Sequence, residues 1–181
     1  IGKSTENKIW ARHFYDSAFS CKFVLEIIGR TKKKKLSLVD VGSGAGFPGL
    51  VIALMCQKIS NVSFTLIESN KKKASFLESI VSLLGLKVKV INSRAEEQKK
   101  KFDLITARAV APLNKLVKLV SKISKKDSIL LAFKGQSWEE EVRLLKKEWN
   151  YKSLIVKNNI DLEKSRGVLL LIDSVSKKSR P

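Results

Sequence analysis

The chain contains 181 residues, of which 44% are hydrophobic, and carries a formal net charge of +19 at pH 7. This length predicts one domain with a buried core, 1–181. No apolar run approaches the roughly 18 residues that a membrane span requires, so we expect a soluble, cytoplasmic protein. Two distant cysteines, Cys21 and Cys56, and one histidine argue against a disulfide framework or a metal site. The chain opens at Ile1 without a signal-peptide pattern, and we expect that its native start is missing.

The positive charge is concentrated in short blocks of lysine. A surplus of this size indicates a polyanionic partner such as nucleic acid. The alternative is that the blocks are ordinary solvated loops. The blocks comprise Lys32–Lys35, Lys71–Lys73, Lys99–Lys101, Lys125–Lys126, Lys146–Lys147 and Lys177–Lys178.

An N-terminal lead-in, residues 1–35, contains the first predicted helix. Helical spacing extends over 6–29, and Gly29 is a plausible end of the helix. One face of this helix is predicted to comprise Trp10, Phe14, Cys21, Val24, Leu25 and Ile28.

Residues 36–149 alternate between strand-like and helix-like segments, which is typical of a doubly wound α/β fold with a mostly parallel sheet. The predicted strands are 36–41, 62–69, 87–92, 102–107 and 128–134, and the predicted helices are 49–58, 70–84, 112–123 and 137–149. Residues 150–176 break the alternation, because 150–159 and 166–175 are both strand-like. We therefore predict seven strands, the last two forming an antiparallel hairpin at one edge.

A glycine-rich loop, Gly42, Gly44 and Gly46, follows the first strand. Ligands of open parallel sheets bind beyond the carboxyl ends of the strands, and glycine lets a ligand approach the backbone. The dinucleotide fingerprint requires a third glycine where this chain has Phe47. The spacing is closer to loops that bind S-adenosylmethionine, with Glu68 positioned to accept from the ribose hydroxyls and 93–97 beside the adenine. A tight turn without a ligand is the alternative.

S-adenosylmethionine is a methyl donor, and the segment after the fourth strand limits which kind of atom could accept the methyl group. It reads RAVAPLN, whereas enzymes that methylate exocyclic nitrogens commonly carry an Asp/Asn/Ser-Pro-Pro-aromatic motif there. Neither cysteine follows a strand, as methylation of pyrimidine carbon 5 would require. Guanine N7 carries no proton, so its methylation needs no general base.

Several motifs resemble those of the 16S ribosomal RNA guanine-N7 methyltransferases, once called glucose-inhibited division protein B. The resemblance runs from about Trp10 to Ile172. It implies a Rossmann-like class I methyltransferase in which Gly42 and Phe47 contact S-adenosylmethionine. The motifs are DVGSGAGFPGL, LIESNKKKASFL, INSRAEE, FDLITARAVAPLNKLV and LAFKGQ, with RHFYDS near the N-terminus.

The same resemblance implies that Ala95 and Glu96 lie on the adenine side and that Arg108 lies near the cofactor's amino acid end or the transferring methyl. Arg108 is the residue to which we assign catalytic positioning. A surface cation at a strand end is the alternative for this arginine.

Four further residues are candidates for contact with the RNA: Arg12, His13, Lys134 and Gln136. For His13 a packing role is the alternative, and for Lys134 and Gln136 a structural role in the turn. The predicted partner is 16S ribosomal RNA or the small ribosomal subunit, and a monomer is the default. Two other functions stay open, namely a non-catalytic RNA-binding assembly factor and a dinucleotide-dependent oxidoreductase.

Overall fold

The computed structural model describes residues 10–158 and 168–178, without the side chains of 10–12 and 156–158. A π-helical turn, Trp10–Tyr15, leads into helix α1, Asp16–Arg30, so the predicted first helix is present from residue 10, and 6–9 lie outside the described residues. Its predicted apolar face was partly wrong. Cys21 and Val24 are buried, but Phe14 and Leu25 are 36% and 41% exposed, and Phe23 is buried instead. Leu25 is about 100° around the helix from Val24, which places it at the solvent side.

Strands and helices alternate through the middle of the chain, as predicted. They are β1 (Leu36–Val41), α2 (Gly49–Met55), β2 (Val62–Ile67), α3 (Lys71–Leu83), β3 (Val88–Ile91), a 3₁₀ turn (Ala95–Glu97), β4 (Phe102–Arg108), α4 (Leu113–Val120), β5 (Ser124–Lys134) and α5 (Trp138–Glu148). Four short strands follow: β6 (Trp149–Asn150), β7 (Ser153–Asn158), β8 (Val168–Asp173) and β9 (Ser176–Lys177).

Seven strands form one sheet in the order β3-β2-β1-β4-β5-β8-β7. Strands β1 to β5 are mutually parallel, while β8 is antiparallel to both β5 and β7. This confirms the mostly parallel sheet with its antiparallel hairpin. The strand order reverses between β1 and β4, where a ligand crevice is expected in this type of sheet.

Two features were not predicted from the sequence. Strand β5 begins at Ser124 rather than at residue 128, and a register shift between Phe102 and Leu104 of β4 accommodates the added residues. A small second sheet pairs β6 with β9. Backbone pairings of this kind depend on the neighbouring strand, which periodicity within one segment does not reveal.

Helices cover both faces of the sheet. On one face α4 and α5 pack on apolar residues of β1, β4 and β5, and on the other face α1 and α2 pack on alternate residues of the same strands. The alternation follows from the two-residue period of a strand. The largest side chains that are fully buried include Phe102, Leu38, Ile52, Leu104, Leu113, Ile123 and Leu131.

Because β1 to β5 are parallel, all their carboxyl ends lie on one side of the sheet and all their amino ends on the opposite side. We call the edge at the carboxyl ends of β1 to β5 the carboxyl edge, and the opposite one the amino edge. The glycine-rich loop lies between β1 and α2, at the carboxyl edge. Within 10–158 and 168–178, no helix has the length and apolar character needed to cross a lipid bilayer.

Candidate cofactor site and active site

The glycine-rich loop has the backbone geometry that its sequence predicted. Gly42, Gly44 and Gly46 have φ angles of 65°, 57° and 95°, in the left-handed region. The loop is anchored to the neighbouring strand, since the N–H groups of Gly42 and Ser43 donate to the Ile67 carbonyl at 2.9 and 3.1 Å. The chain therefore turns sharply at the end of β1 and enters α2 after Pro48, whose peptide bond with Phe47 is cis.

The three glycines differ in what a side chain at each position would contact. A side chain at Gly46 would collide with Leu50 of α2, and one at Gly42 would meet Val110 Cγ2 at 2.9 Å. At Gly44 the nearest protein atom to such a side chain would be the Gly42 carbonyl oxygen, at 3.8 Å. Gly42 and Gly46 are thus required by packing within the protein. Gly44 has open space above it and is the position at which a ligand can approach the backbone.

Glu68 holds the loop in this shape. Its Oε2 accepts from the Gly44 N–H and its Oε1 from the Asn70 N–H, both at 2.8 Å, and the residue is buried. The Asn92 amide donates to the Glu68 carbonyl at 2.8 Å. Each carboxylate oxygen retains a second lone pair, so the arrangement is compatible with a bound ribose, and the ribose contact stays a prediction.

Asp40 lies beneath the loop and was not singled out by sequence reasoning. It is 1% exposed, and its Oδ1 accepts from Thr106 Oγ1 of β4 at 2.6 Å. Burial raises the pKa of Asp40 to about 6, although the hydrogen bond from Thr106 opposes the shift. The signal available was an acid inside an otherwise apolar strand. The hydrogen bond with Thr106 joins β1 to β4, and the carboxyl group packs against Gly49 at the start of α2, where the crevice opens.

The N-terminal helical segment packs on the glycine-rich loop through aromatic rings. The ring of Phe47 lies 5.2 Å from that of His13 and 4.9 Å from that of Phe14, the latter edge to face. Both residues belong to the π-helical turn, a geometry that is frequent at functional sites. His13 is therefore at the wall of the crevice and in contact with a predicted cofactor residue. The side chain of Arg12 lies outside the described part of the chain.

Arg108 ends β4 and faces the same wall. Its Nη2 donates to Asp16 Oδ2 at 3.2 Å, and its guanidinium lies over the Phe133 ring at 5.5 Å. Both side chains of the ion pair are less than one-fifth exposed. The first turn of α1 thus fixes the arginine at the mouth of β4, next to the reversal of strand order.

Lys134 is turned inward at the end of β5. Its Nζ lies 2.7 Å from Glu141 Oε2 and 3.0 Å from the Ala111 carbonyl oxygen, and its side chain is 9% exposed. Glu141 also accepts from the Leu113 N–H at the start of α4. The pair therefore holds the loop between β4 and α4. This arrangement favours the alternative given for Lys134, a structural role in the turn, over an RNA contact. The RNA contact of Gln136, which is exposed in the next turn, stays a prediction.

The adenine-side candidates lie after β3. Ala95 is buried in the main core cluster, and Glu96 is exposed. The turn is closed by Gln98 Nε2 donating to Ser93 Oγ and by the Arg94 N–H donating to Glu97. This places backbone groups and the exposed carboxylates of Glu96 and Glu97 at the carboxyl edge beside β2, while the contact of Ala95 and Glu96 with adenine stays a prediction.

The chain matches the family model described as rRNA small subunit methyltransferase G over residues 1–170. It is 38% identical over 151 residues to ribosomal RNA small subunit methyltransferase G of Zymomonas mobilis, covering 82% of this chain and 66% of that protein. The chain belongs to the rRNA small subunit methyltransferase G family. The resemblance inferred from the motifs is thereby confirmed.

A second member of the rRNA small subunit methyltransferase G family, from Mycoplasma mobile, is 38% identical over 165 residues, covering 90% of this chain and 70% of that protein. Among solved structures, a SAM-dependent methyltransferase from Aquifex aeolicus matches with a TM-score of 0.64 and 18% identity, covering 96% of this chain and 99% of that chain. The fold is that of a class I S-adenosylmethionine-dependent methyltransferase, as predicted. The chain spans about two-thirds of the Zymomonas relative.

Proposed function

We propose that the protein is an S-adenosylmethionine-dependent methyltransferase that transfers a methyl group to N7 of a guanine in 16S ribosomal RNA. The observation that carries this proposal is the open space above Gly44, at the strand-order reversal of a chain whose family methylates small-subunit ribosomal RNA. The proposal includes a cytoplasmic location and a single domain.

The residues present fit the cofactor. A ligand on Gly44 would lie against Glu68, which is suited to the ribose hydroxyls, and would extend toward Ala95 and Glu96 on one side. On the other side it would extend toward Arg108. When bound, S-adenosylmethionine supplies an electrophilic methyl on its sulfonium. The chain's own part is to orient this group and to exclude water.

The side chains around the crevice support guanine N7 as the acceptor. Both cysteines are fully buried, with their sulfurs 3.6 Å apart between α1 and the end of α2, so neither is a nucleophile for a pyrimidine ring. The guanidinium of Arg108 is a fixed cation that positions groups and does not accept a proton at neutral pH. An acceptor with a free lone pair and no proton suits this site.

The direct test is methyl transfer to 16S ribosomal RNA that lacks the modification. The protein is incubated with S-adenosylmethionine and the RNA, either free or in the small subunit, and nuclease fragments are mapped by mass. One fragment is expected to gain a single methyl, located at guanine N7. A map without a new methyl on either substrate would refute the proposal, and a methyl on another base atom would refute the N7 assignment.

Calorimetry addresses the oxidoreductase alternative, which no specific feature of the crevice favours. Binding of S-adenosylmethionine without binding of NAD is expected, since Phe47 occupies the position of the third glycine in the dinucleotide fingerprint. The converse result would reverse the assignment of the cofactor.

A further inference from the structure

Three of the six lysine blocks of this protein lie away from the candidate active site. Lys32–Lys35 directly precede β1, Lys99–Lys101 directly precede β4, and Lys125 and Lys126 lie at the beginning of β5. Since β1, β4 and β5 are adjacent and parallel, these three blocks share the amino edge. We call these nine residues the amino-edge lysine surface.

Asp103 forms ion pairs with lysines of two of these blocks and so holds them next to each other. Its Oδ1 lies 2.8 Å from Lys33 Nζ and its Oδ2 lies 2.7 Å from Lys125 Nζ, while Ser37 donates to it from both N–H and Oγ. Burial opposes ionisation, but Lys125, Lys33 and Ser37 outweigh it and hold the pKa of Asp103 well below its ordinary value. The carboxylate is thus a fixed anchor for two of the three blocks.

The third block is placed beside the same anchor. Lys100 Nζ lies 5.3 Å from the centre of the Phe102 ring, the residue next to Asp103. All nine lysines are exposed. The three segments and the residues that directly follow them contribute two acids, the buried Asp103 and the exposed Asp127. A dense positive surface therefore faces solvent at this edge.

The carboxyl edge has a different charge balance. The first turn of α5 carries three glutamates, Glu139–Glu141, and Glu68, Glu96 and Glu97 follow β2 and β3. The cations of that edge include Arg108 and Lys134, both paired with acids of the protein, and the exposed Arg94 and Lys71–Lys73. These six cations face six glutamates, whereas nine lysines face two acids at the amino edge. Among the described residues, the surplus of positive charge thus lies opposite the methyl-transfer site.

We propose that the amino-edge lysine surface binds the phosphate backbone of the RNA substrate at a second place, remote from the methylated guanine. This rests on the proposed function. Lysines are point charges that neutralise phosphates without reading bases, and such contacts give affinity and orientation but no sequence selectivity. Strand β4 has seven residues, and its length separates the amino edge from the carboxyl edge by roughly 20 Å. The substrate that engages both edges is a folded ribosomal RNA region rather than a short single strand.

Two variants with equal loss of charge test the proposal. The surface variant combines Lys34→Gln, Lys99→Gln and Lys126→Gln, which spares the two lysines bound to Asp103. The control variant combines Lys22→Gln, Lys89→Gln and Lys118→Gln, three exposed lysines within α1, β3 and α4. Affinity for an unmodified 16S RNA transcript is measured against salt concentration without cofactor, and kcat and KM are measured with S-adenosylmethionine.

The surface variant is expected to reduce the slope of log affinity against log salt by about 2, and to raise KM for the transcript roughly tenfold with kcat unchanged. The control variant is expected to change neither quantity. Equal weakening by both variants, or no weakening by either, would overturn the proposal. So would a surface variant that keeps its RNA affinity and loses binding to anionic phospholipid vesicles.

The outcomes separate this proposal from the proposed function. A protein that binds the transcript through these lysines but transfers no methyl would refute the methyltransferase activity and leave the surface standing. A protein that methylates the transcript with identical RNA affinity in both variants would refute the surface alone.

Discussion

Lys134 and Glu141 form an ion pair with 2.7 Å between Nζ and Oε2, and both residues also bond the backbone of the loop between β4 and α4. The lysine contacts the Ala111 carbonyl and the glutamate contacts the Leu113 N–H, one on each side of Pro112. Val110 of that loop would touch any side chain at Gly42. The pair therefore connects the end of β5 with the wall of the cofactor crevice.

We expect Lys134→Met and Glu141→Gln each to raise KM for S-adenosylmethionine and to lower kcat, by about tenfold, because a misplaced loop shifts the reacting groups. The double variant should cost little more than either single change, since the two residues act as a unit. Arg143→Met and Glu140→Gln, an exposed pair on the same helix, are the matched controls.

The salt dependence of RNA binding separates this positioning role from an RNA contact. A lysine that neutralises one phosphate contributes about 0.7 to 0.9 to the slope of log affinity against log salt. We expect Lys134→Met to leave that slope unchanged. A slope reduced by this amount, with KM for S-adenosylmethionine unaltered, would instead establish Lys134 as an RNA-binding residue.

The ion pair between Asp16 and Arg108 predicts a second positioning effect. Asp16→Asn removes the charge that fixes the guanidinium at the mouth of β4. We expect kcat to fall about tenfold, with the dissociation constant for RNA changed less than twofold, because the arginine remains but is less ordered. Glu26→Gln, on the exposed side of the same helix, should retain the kinetics of the unmodified protein. An unchanged kcat in Asp16→Asn would exclude a positioning role for Asp16.

Gly44 and Gly85 provide a matched pair of substitutions. Both have φ angles near 60° and open space where a Cβ atom would lie, with Gly85 between α3 and β3. Tryptophan at either position incurs the same left-handed strain of about 1–2 kcal/mol. We expect Gly44→Trp to abolish binding of S-adenosylmethionine in calorimetry and Gly85→Trp to preserve it. Similar affinities in the two variants would remove the cofactor from the glycine-rich loop.

Asp40 predicts a pH dependence of stability. Its pKa is about 6 in the folded protein against an ordinary value of 3.8, so between pH 4 and 6 the folded chain retains a proton that the unfolded chain has released. The free energy of unfolding should therefore fall as pH rises through this window, by roughly 2 kcal/mol from this group.

Urea unfolding at pH 4 and pH 7 measures this effect. The difference in unfolding free energy between the unmodified protein and Asp40→Asn should shift by roughly 2 kcal/mol in favour of the variant at the higher pH. Asp127→Asn, at an exposed position, should show no such shift. A difference that is constant with pH would mean that Asp40 titrates normally.

Much of the fold could be predicted because the pattern of each segment agreed with its tertiary environment. LSLVDV is apolar enough for a strand covered on both faces, and all six of its residues are buried. The glycine spacing likewise predicted a turn in the left-handed region. Leu25 shows the limit of this reasoning, since a helix face that is apolar in sequence is wider than the strip that the sheet can cover.

The site was predictable only where residues are adjacent in the chain. Gly44 and Glu68 were both identified from sequence, but the hydrogen bond between them joins positions 24 residues apart. Glu141 was not identified, because three consecutive glutamates open α5 and nothing in the sequence indicates which one faces Lys134.

The sequence by itself determined the alternation of strands and helices, the glycine-rich turn and the family, because each depends on local spacing and on contiguous motifs. Only the tertiary structure decided which charged side chains form ion pairs within the protein and which face solvent. Lys134 and Lys34 are the same residue type and each lies at or near the end of a strand, yet one is paired with Glu141 and the other is exposed at the amino edge. That distinction depends on which acids the fold brings within a few ångströms, and a linear pattern does not contain this information.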